Sequence, residues 1–292
     1  MIPIKISNKE NVLKAHWDGL SGLVLSHKTD INSWITQSGL GDILGSEPIK
    51  NLICGDFKFL QSIVLRVGVN NNLSFLKTKY ETFTSRAPHL YNPEKLVTNV
   101  GITVCPYCNR SFIHSVNSRT RTCQLDHFYS KDQYPYLALS FFNLIPCCYA
   151  CNHQKGSRSI SVSPYQNFKP DELLKFDYKY VIEEQTQKRE INIVSNLTTK
   201  MGLSLDKNFE VLGLNKLYKN HEDVVQEILK KKDIYSDDFI ESLMAQFPKL
   251  IESKEEALRL VFGNYVMEDD LGKRPLAKLT RDIAIESRLL TK

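Results

Sequence analysis

The sequence lacks a long hydrophobic run: no stretch approaches the roughly 18 uninterrupted apolar residues that a membrane-spanning helix needs. Its first residues, MIPIKISNKE, lack the apolar core and the small-residue cleavage site of a secretory signal. Internal repeats and low-complexity stretches are absent as well. These absences exclude a membrane protein and predict a soluble protein of the cytoplasm, with no membrane among its partners.

The composition is typical of a globular protein. Of the 292 residues, 42% are hydrophobic, 10% aromatic and 24% charged, which is enough apolar material for one large core or two modest ones. A disordered tail, a collagen-like fibre and a mucin-like stalk are excluded. The seven cysteines are an odd number in a chain too long to need disulfide bonds for stability. Their close pairing therefore indicates a metal site in a reducing compartment.

Positive charge is concentrated in one segment. Residues 101–170 contain seven basic and two acidic side chains, which accounts for the whole net charge of +5. Such an excess is typical of a surface that binds a polyphosphate. The alternative is a solvated loop that happens to be basic. The basic residues are Arg110, Arg119, Arg121, Lys131, Lys155, Arg158 and Lys169.

Hydrophobic periodicity divides the chain into three regions. Residues 1–98 are predicted to be mostly helical, and residues 99–170 contain the cysteine pairs. Residues 171–292 are predicted to begin with a hairpin, because apolar and polar residues alternate over 176–182 and again over 190–194. The pattern then becomes helical again up to the end of the chain.

Two pairs of cysteines have the same spacing. Two residues separate Cys105 from Cys108 and Cys148 from Cys151, and 39 residues lie between the pairs. Two such knuckles supply the four thiolates of a tetrahedral site, so the sequence predicts a structural zinc ion. Cys147 is an alternative to Cys148, because a three-residue spacer is also allowed, but the two-residue spacer is commoner.

Three other side chains with ligand atoms are predicted to lie in the core. Cys54 and Cys123 have no partner at knuckle spacing and are expected to behave as small apolar residues. His16 falls on the apolar stripe of a helix predicted in residues 8–20. There we expect a buried histidine held by a hydrogen bond rather than a ligand or a base.

The segment between the knuckles carries a more specific motif. Asp126 and His127 follow a short predicted strand, Asn143 comes 16 residues after His127, and Asn152 directly follows the last cysteine. This order resembles the HNH endonuclease family. The core of that family has a strand with the Asp-His pair, a loop with an asparagine, a second strand, and a helix with the last histidine or asparagine. The resemblance covers residues 101–158.

The resemblance implies an α+β fold, in which a ββα-metal HNH core with a four-cysteine zinc site is flanked by mostly helical N- and C-terminal regions. It implies that Asp126 binds a divalent cation, that His127 is the general base, and that Asn143 orients the imidazole. Asn152 occupies the position of the last motif residue and is the implied second ligand of the cation. His153 is the substitute ligand, although it points about 100° further around a helix.

These residue types suit the hydrolysis of a phosphodiester bond. The reaction needs a water molecule, a base and a cation that neutralises the transition state. Histidine has a suitable pKa, so we expect the rate to rise through a histidine-like pKa. A carboxylate and an amide form a hard oxygen site, which favours Mg²⁺ or Mn²⁺ over zinc. The side chains predicted to contact phosphates are Lys131, Lys155, Arg158 and Arg110.

Residues 214–218 and 273–276 are similar to segments of bacterial HNH proteins in defence modules, including the nuclease subunits of Septu-type anti-phage systems, which act beside an ATPase. The sequence therefore predicts a DNA endonuclease of anti-phage defence, with nucleic acid and an ATPase subunit as partners. The alternatives are an RNase with the same site, for example one that cleaves tRNA, a zinc-dependent module that binds nucleic acid without cleavage, and a scaffold whose metal is purely structural.

Overall fold

The computed structural model describes residues 1–114, 122–182, 189–288 and 290. Among these residues, helices and strands are mixed, as the predicted α+β class requires, and no helix has both the length and the apolarity needed to cross a membrane. The chain divides into two compact units. The N-terminal unit comprises Ile4–Ile102 and Ile113–Asn167, and the C-terminal unit comprises Met1–Pro3, Thr103–Phe112 and Phe168–Lys292.

Helices occupy most of the first hundred residues, as predicted. Asp56 caps one of them, since its side chain accepts a hydrogen bond from the N–H of Lys58 at 2.9 Å, and Asn92 caps another through the N–H of Lys95 at 3.2 Å. The helices are α1 (Lys9–Leu25), α2 (Lys28–Gln37), α3 (Gly41–Leu44), α4 (Pro48–Cys54), α5 (Phe57–Val67), α6 (Phe75–Thr84) and α7 (Pro93–Val100).

A ββα motif follows, as the HNH resemblance implies. Its strands are antiparallel and place Asp126 opposite Ile145 and His127 opposite Leu144. Every residue of the second strand is buried, and the helix ends at Gly156, whose φ of +53° favours glycine. The elements are β1 (Cys123–His127), the 3₁₀ turns Pro135–Leu137 and Phe141–Asn143, β2 (Leu144–Cys148) and α8 (Tyr149–Lys155).

Buried hydrogen bonds join the N-terminal helices to the ββα motif. His16 in α1 is fully buried, with Nε2 2.9 Å from the carbonyl oxygen of Leu139 and Nδ1 3.1 Å from the hydroxyl of Tyr91. The Ser140 hydroxyl donates to the carbonyl oxygen of Leu52 at 2.6 Å. These bonds confirm His16 as a core histidine. They also join the N-terminal helices to the ββα motif within the N-terminal unit.

The C-terminal unit contains the predicted hairpin and helices. Strand β3 pairs with β4 in an antiparallel register that places Phe176 opposite Ser195. The turn between them, residues 183–188, lies outside the described residues. The elements are α9 (Pro170–Leu173), β3 (Leu174–Ile182), β4 (Arg189–Leu197), α10 (Asp206–Leu212), α11 (Leu214–Lys219), α12 (Glu222–Ile234), α13 (Asp237–Gln246), α14 (Lys254–Phe262), the 3₁₀ turn Glu268–Asp270 and α15 (Ala277–Glu286).

A buried ion network holds α15 to the hairpin. The Lys278 ammonium lies 2.9 Å from an oxygen of Asp171 and 2.5 and 2.6 Å from the two oxygens of Asp282. Asp282 also accepts the N–H of Phe176 at 2.9 Å, and Arg281 donates to Asp171 at 3.1 Å. The network contains two cations and two carboxylates, so its charges cancel inside the unit.

Candidate active site

The four cysteines at knuckle spacing converge. The sulfur atoms of Cys105, Cys108, Cys148 and Cys151 all lie within 4.8 Å of one another, and all four residues are buried. A zinc ion bound by four thiolates at about 2.3 Å holds their sulfur atoms about 3.8 Å apart, so the arrangement fits a tetrahedral metal ion. The cluster includes Cys148 rather than Cys147, which confirms the two-residue spacing in both pairs.

The first knuckle is a tight turn in the C-terminal unit. The N–H of Asn109 donates to the carbonyl oxygen of Cys105 at 2.8 Å, and the N–H of Arg110 donates to the sulfur of Cys108 at 3.4 Å. An N–H that donates to sulfur, as that of Arg110 does, stabilises a thiolate ligand. Tyr218 donates its hydroxyl to the carbonyl oxygen of Cys108 at 2.6 Å. Helix α11 therefore supports the knuckle through Tyr218.

The remaining cysteines behave as core residues. Cys123 and Cys147 are buried and Cys54 is half-buried. Burial raises the pKa of the Cys54 thiol to about 12 and that of Cys147 well above its usual value. These two thiols stay protonated at neutral pH and are inert, which is consistent with the prediction for Cys54.

A cleft of about 460 Å³ opens beside β1 and α8 in the N-terminal unit. Asp126, His127 and Asn152 line it, so the structure brings three of the predicted site residues to one surface. Asn143, the fourth, is fully buried. The other residues that line the cleft are Tyr80, Gln124, Leu125, Ser130, Lys131, Asp132, Gly156 and Ser157.

His127 is held in one orientation at the edge of the cleft. Its Nε2 lies 2.9 Å from the carbonyl oxygen of Ala138. Because a carbonyl only accepts, Nε2 carries the proton and the lone pair belongs to Nδ1, as a general base requires. Burial lowers the pKa of His127 to about 4, against the raising effect of the Ala138 carbonyl, so the imidazole is neutral at pH 7.

Tyr80 in α6 forms a wall of the cleft. Its ring meets the His127 imidazole edge-on, with ring centroids 4.5 Å apart and an interplanar angle of 70°. Its hydroxyl donates to the carbonyl oxygen of Leu125 at 3.4 Å, and the Lys131 ammonium lies 5.0 Å from its ring centroid. Sequence reasoning missed Tyr80, because it precedes the motif and only the tertiary fold brings it to the imidazole.

Asp126 has a buried cation beside it. The Lys155 ammonium lies 3.0 Å from Oδ1 of Asp126 and 2.7 Å from the carbonyl oxygen of His127. The side-chain exposure is 0% for Lys155 and 4% for Asp126. The prediction that Lys155 contacts phosphates is therefore wrong for this structure, because its ammonium has no surface to offer a substrate.

Asn143 shapes the loop that holds the imidazole. Its side-chain oxygen accepts the N–H of Tyr129 at 2.7 Å, and its amide nitrogen donates to the carbonyl oxygens of Tyr129 and Leu137, both at 3.0 Å. Leu137 precedes Ala138, whose carbonyl accepts the proton of His127. The direct partner of the imidazole is thus Ala138, and Asn143, predicted to orient the imidazole through its backbone or side chain, contacts the chain on both sides: its amide holds Leu137, and its carbonyl oxygen accepts the N–H of Phe128 at 2.9 Å.

The two alternative cation ligands lie in different surroundings. Asn152 is half-buried and lines the cleft with Asp126. His153 is exposed, and its ring stacks on Tyr149 with centroids 5.6 Å apart and an interplanar angle of 9°. This placement favours Asn152 as the ligand.

The residues predicted to contact phosphates have different surroundings. Lys131 lines the cleft, whereas the exposed Arg158 donates to the carbonyl oxygen of Gln154. Arg110 belongs to the C-terminal unit and donates through Nε to the imidazole of His221 at 2.8 Å. Arg119 and Arg121 lie outside the described residues. Of the four residues predicted to contact phosphates, Lys131 and Arg158 therefore remain candidates at the surface of the N-terminal unit.

Known proteins match this part of the chain. Residues 105–158 match the family model described as HNH endonuclease, so the chain carries an HNH endonuclease domain there. The Septu protein PtuB of Bacillus thuringiensis is 32% identical over 63 residues, which are 22% of this chain and 23% of that protein. The chain thus spans about a quarter of the length of the curated relative that it matches. No solved structure matches the chain.

The cleft combines two chemical capacities. A neutral imidazole with its lone pair on Nδ1 accepts a proton. The Asp126 carboxylate and the Asn152 amide are hard oxygen ligands, which fit a small divalent cation better than a soft one. The thiol cluster has the opposite preference and fits zinc. The two sites are therefore chemically distinct, as the sequence predicts.

Proposed function

We propose that this chain is a metal-dependent HNH endonuclease that hydrolyses phosphodiester bonds in DNA. The observation that carries the proposal is the neutral imidazole of His127, which shares a cleft with Asp126 and Asn152. Its single ring proton lies on Nε2, where it is donated to the carbonyl oxygen of Ala138, so Nδ1 is free of a proton. The family match over residues 105–158 supports the same class of reaction.

In this mechanism His127 is the general base. Its Nδ1 removes a proton from a water molecule as the water oxygen bonds to the phosphorus atom. The bond from phosphorus to the 3′ oxygen breaks, and the 3′ oxygen takes a proton from solvent, which leaves a 5′ phosphate and a 3′ hydroxyl group. Asp126 and Asn152 would hold a Mg²⁺ or Mn²⁺ ion, which would supply positive charge for the transition state and for the departing 3′ oxygen. Asn143 and Tyr80 keep the imidazole in place, and Lys131 and Arg158 contact neighbouring phosphates.

The thiol cluster has a structural role in this proposal. Four thiolates hold a zinc ion and keep the second knuckle, the end of β2 and the start of α8 in one arrangement. We place the protein in the cytoplasm of a bacterium, in anti-phage defence beside an ATPase subunit. The similarity to Septu PtuB supports this setting.

A cleavage assay of the full-length protein tests the proposal. Matched DNA and RNA substrates are incubated with Mg²⁺ or Mn²⁺ and, separately, with a chelator. We expect DNA cleavage that the chelator stops, and a His127→Ala variant that binds DNA without cleaving it. Cleavage of RNA alone would identify the RNase alternative. Binding without cleavage by the unmodified protein would identify a binding module. The absence of both binding and cleavage would identify a scaffold.

A further inference from the structure

Lys155 is fully enclosed next to the proposed cation ligand. Its ammonium has three acceptors: an oxygen of Asp126 at 3.0 Å, the carbonyl oxygen of His127 at 2.7 Å and that of Gly156 at 3.5 Å. An ammonium group has three protons to donate, so this environment is complete for the charged form. Lys155 also lies in the last turn of α8, where the helix dipole favours a cation.

The position of this charge affects Asp126. A carboxylate that binds a divalent cation is most effective when its full negative charge is available. Here the carboxylate already neutralises an ammonium that the fold holds in place, and a second cation on the same carboxylate is repelled by the first. The Asp126–Lys155 pair therefore has a lower affinity for a divalent ion than an isolated aspartate in the same cleft.

We propose that Lys155 is a positioning residue that weakens the binding of a divalent cation to the cleft when no nucleic acid is bound. The cation then binds tightly only together with a nucleic-acid phosphate. The inference rests on the proposed function of the cleft. A phosphate group supplies the negative charge that Lys155 has cancelled, so the cation and the substrate bind cooperatively. The reaction then has its cation in place only on a bound strand.

Binding of Mn²⁺, measured by electron paramagnetic resonance on the full-length His127→Ala protein, tests this inference without cleavage. A short DNA duplex is present in one series and absent in the other. We expect DNA to tighten Mn²⁺ binding about tenfold or more, which corresponds to about 1.4 kcal/mol. Equal Mn²⁺ affinity with and without DNA would overturn the proposal, and this comparison needs no substitution of Lys155.

Substitutions of Lys155 then isolate its charge. In the same background and without DNA, Lys155→Met and Lys155→Gln are expected to bind Mn²⁺ about tenfold more tightly, whereas Lys155→Arg, which keeps the charge, is expected to bind it as weakly as Lys155. A merely structural lysine would leave the Mn²⁺ affinity of every folded variant unchanged. Tight binding by the arginine variant, or weak binding by a folded neutral variant, would contradict the proposal.

Two controls complete the design. Lys278→Met removes an equally buried lysine of the C-terminal unit and is expected to leave Mn²⁺ affinity unchanged. Asp126→Asn, combined with Lys155→Met, is expected to abolish the tight binding, which assigns it to this carboxylate. Failure of the proposed function would be recognised separately, as an absence of cleavage by the unmodified protein, whatever the Mn²⁺ affinities are.

Discussion

The two units each bury a lysine completely, but the two lysines have different surroundings. Lys278 in the C-terminal unit has two carboxylates within 2.9 Å, and a neighbouring arginine completes a neutral network. Lys155 in the N-terminal unit has one carboxylate at 3.0 Å and otherwise backbone carbonyl oxygens. Asp126, whose carboxylate pairs with Lys155, also lines an open cleft.

On the proposed function, this difference separates a structural ion pair in the C-terminal unit from a pair in the N-terminal unit that takes part in cation binding. Burial alone does not distinguish them, because both side chains have an exposure of 0%. The two pairs are distinguished by the number of compensating charges around each lysine and by the access of Asp126 to a cleft. We therefore expect changes in the C-terminal network to alter stability alone, and changes around the cleft to alter the reaction.

The largest expected effect is on catalysis in the cleft. His127→Ala removes the base, and we expect the cleavage rate to fall by about 10²–10⁴-fold while the protein stays folded. The matched control is His89→Ala, which removes an exposed histidine of the same unit and is expected to leave the rate within about twofold. Single-turnover cleavage measures both. A His127→Ala variant that cleaves at the normal rate would show that the cleft does not contain the general base.

Next comes the stability of the C-terminal unit. Lys278→Met leaves Asp171 and Asp282 without their shared cation, and we expect the free energy of unfolding to fall by about 3–5 kcal/mol. Urea denaturation measures the loss. The cleavage rate per folded molecule is expected to stay unchanged, and a rate that fell as far as in His127→Ala would show that the two regions are not independent.

Mild acid is expected to act on the N-terminal unit through His16. Burial lowers the pKa of His16 to about 4, whereas the unfolded chain titrates near 6.5. Below pH 6.5 the unfolded state therefore binds more protons, and His16 alone lowers stability by about 1.4 kcal/mol per pH unit, to about 3 kcal/mol near pH 4. His127, whose pKa is also lowered to about 4, adds a similar loss that the protein and the His16→Gln variant share. Urea denaturation from pH 7.5 to 4.5 compares the protein with His16→Gln. Parallel curves for the two proteins would contradict this assignment.

The smallest expected effect is on substrate affinity at the surface. Arg158→Ala removes one exposed cation beside the cleft, and we expect DNA affinity to fall by less than about tenfold. The slope of log affinity against log salt concentration is expected to become shallower by about one, because about one counterion fewer is released on binding. Fluorescence anisotropy at several salt concentrations measures both. Lys58→Ala, an exposed lysine on α5, is the control, and an equal effect there would show that Arg158 has no specific contact.

Patterns among residues close together in the sequence predicted the elements and sites that such residues form. Equal spacing in two cysteine pairs identified the four residues of the thiol cluster, because each knuckle is a local turn. Alternation of apolar and polar residues identified the hairpin β3–β4. The order of Asp126, His127 and Asn152 identified residues that line one cleft.

Long-range contacts escaped the same reasoning. Lys155 reaches Asp126 across 29 positions of the chain, and a lysine in a basic segment is expected on the surface unless its partner is known. The carbonyl that fixes His127 belongs to Ala138, a residue with no polar side chain to mark it. Tyr80 reaches the cleft from a helix that precedes the motif. Each depends on how distant segments pack, which periodicity does not encode.

Helix α8 has only seven residues, and it carries Cys151 of the thiol cluster, Asn152 of the cleft and the buried Lys155. So short a helix is not stable by itself and keeps its shape through these attachments. On the proposed function, loss of zinc from the thiol cluster would therefore release the helix that presents Asn152 to the cleft. We expect zinc removal, or oxidation of Cys151, to stop the proposed cleavage although His127 is chemically unchanged.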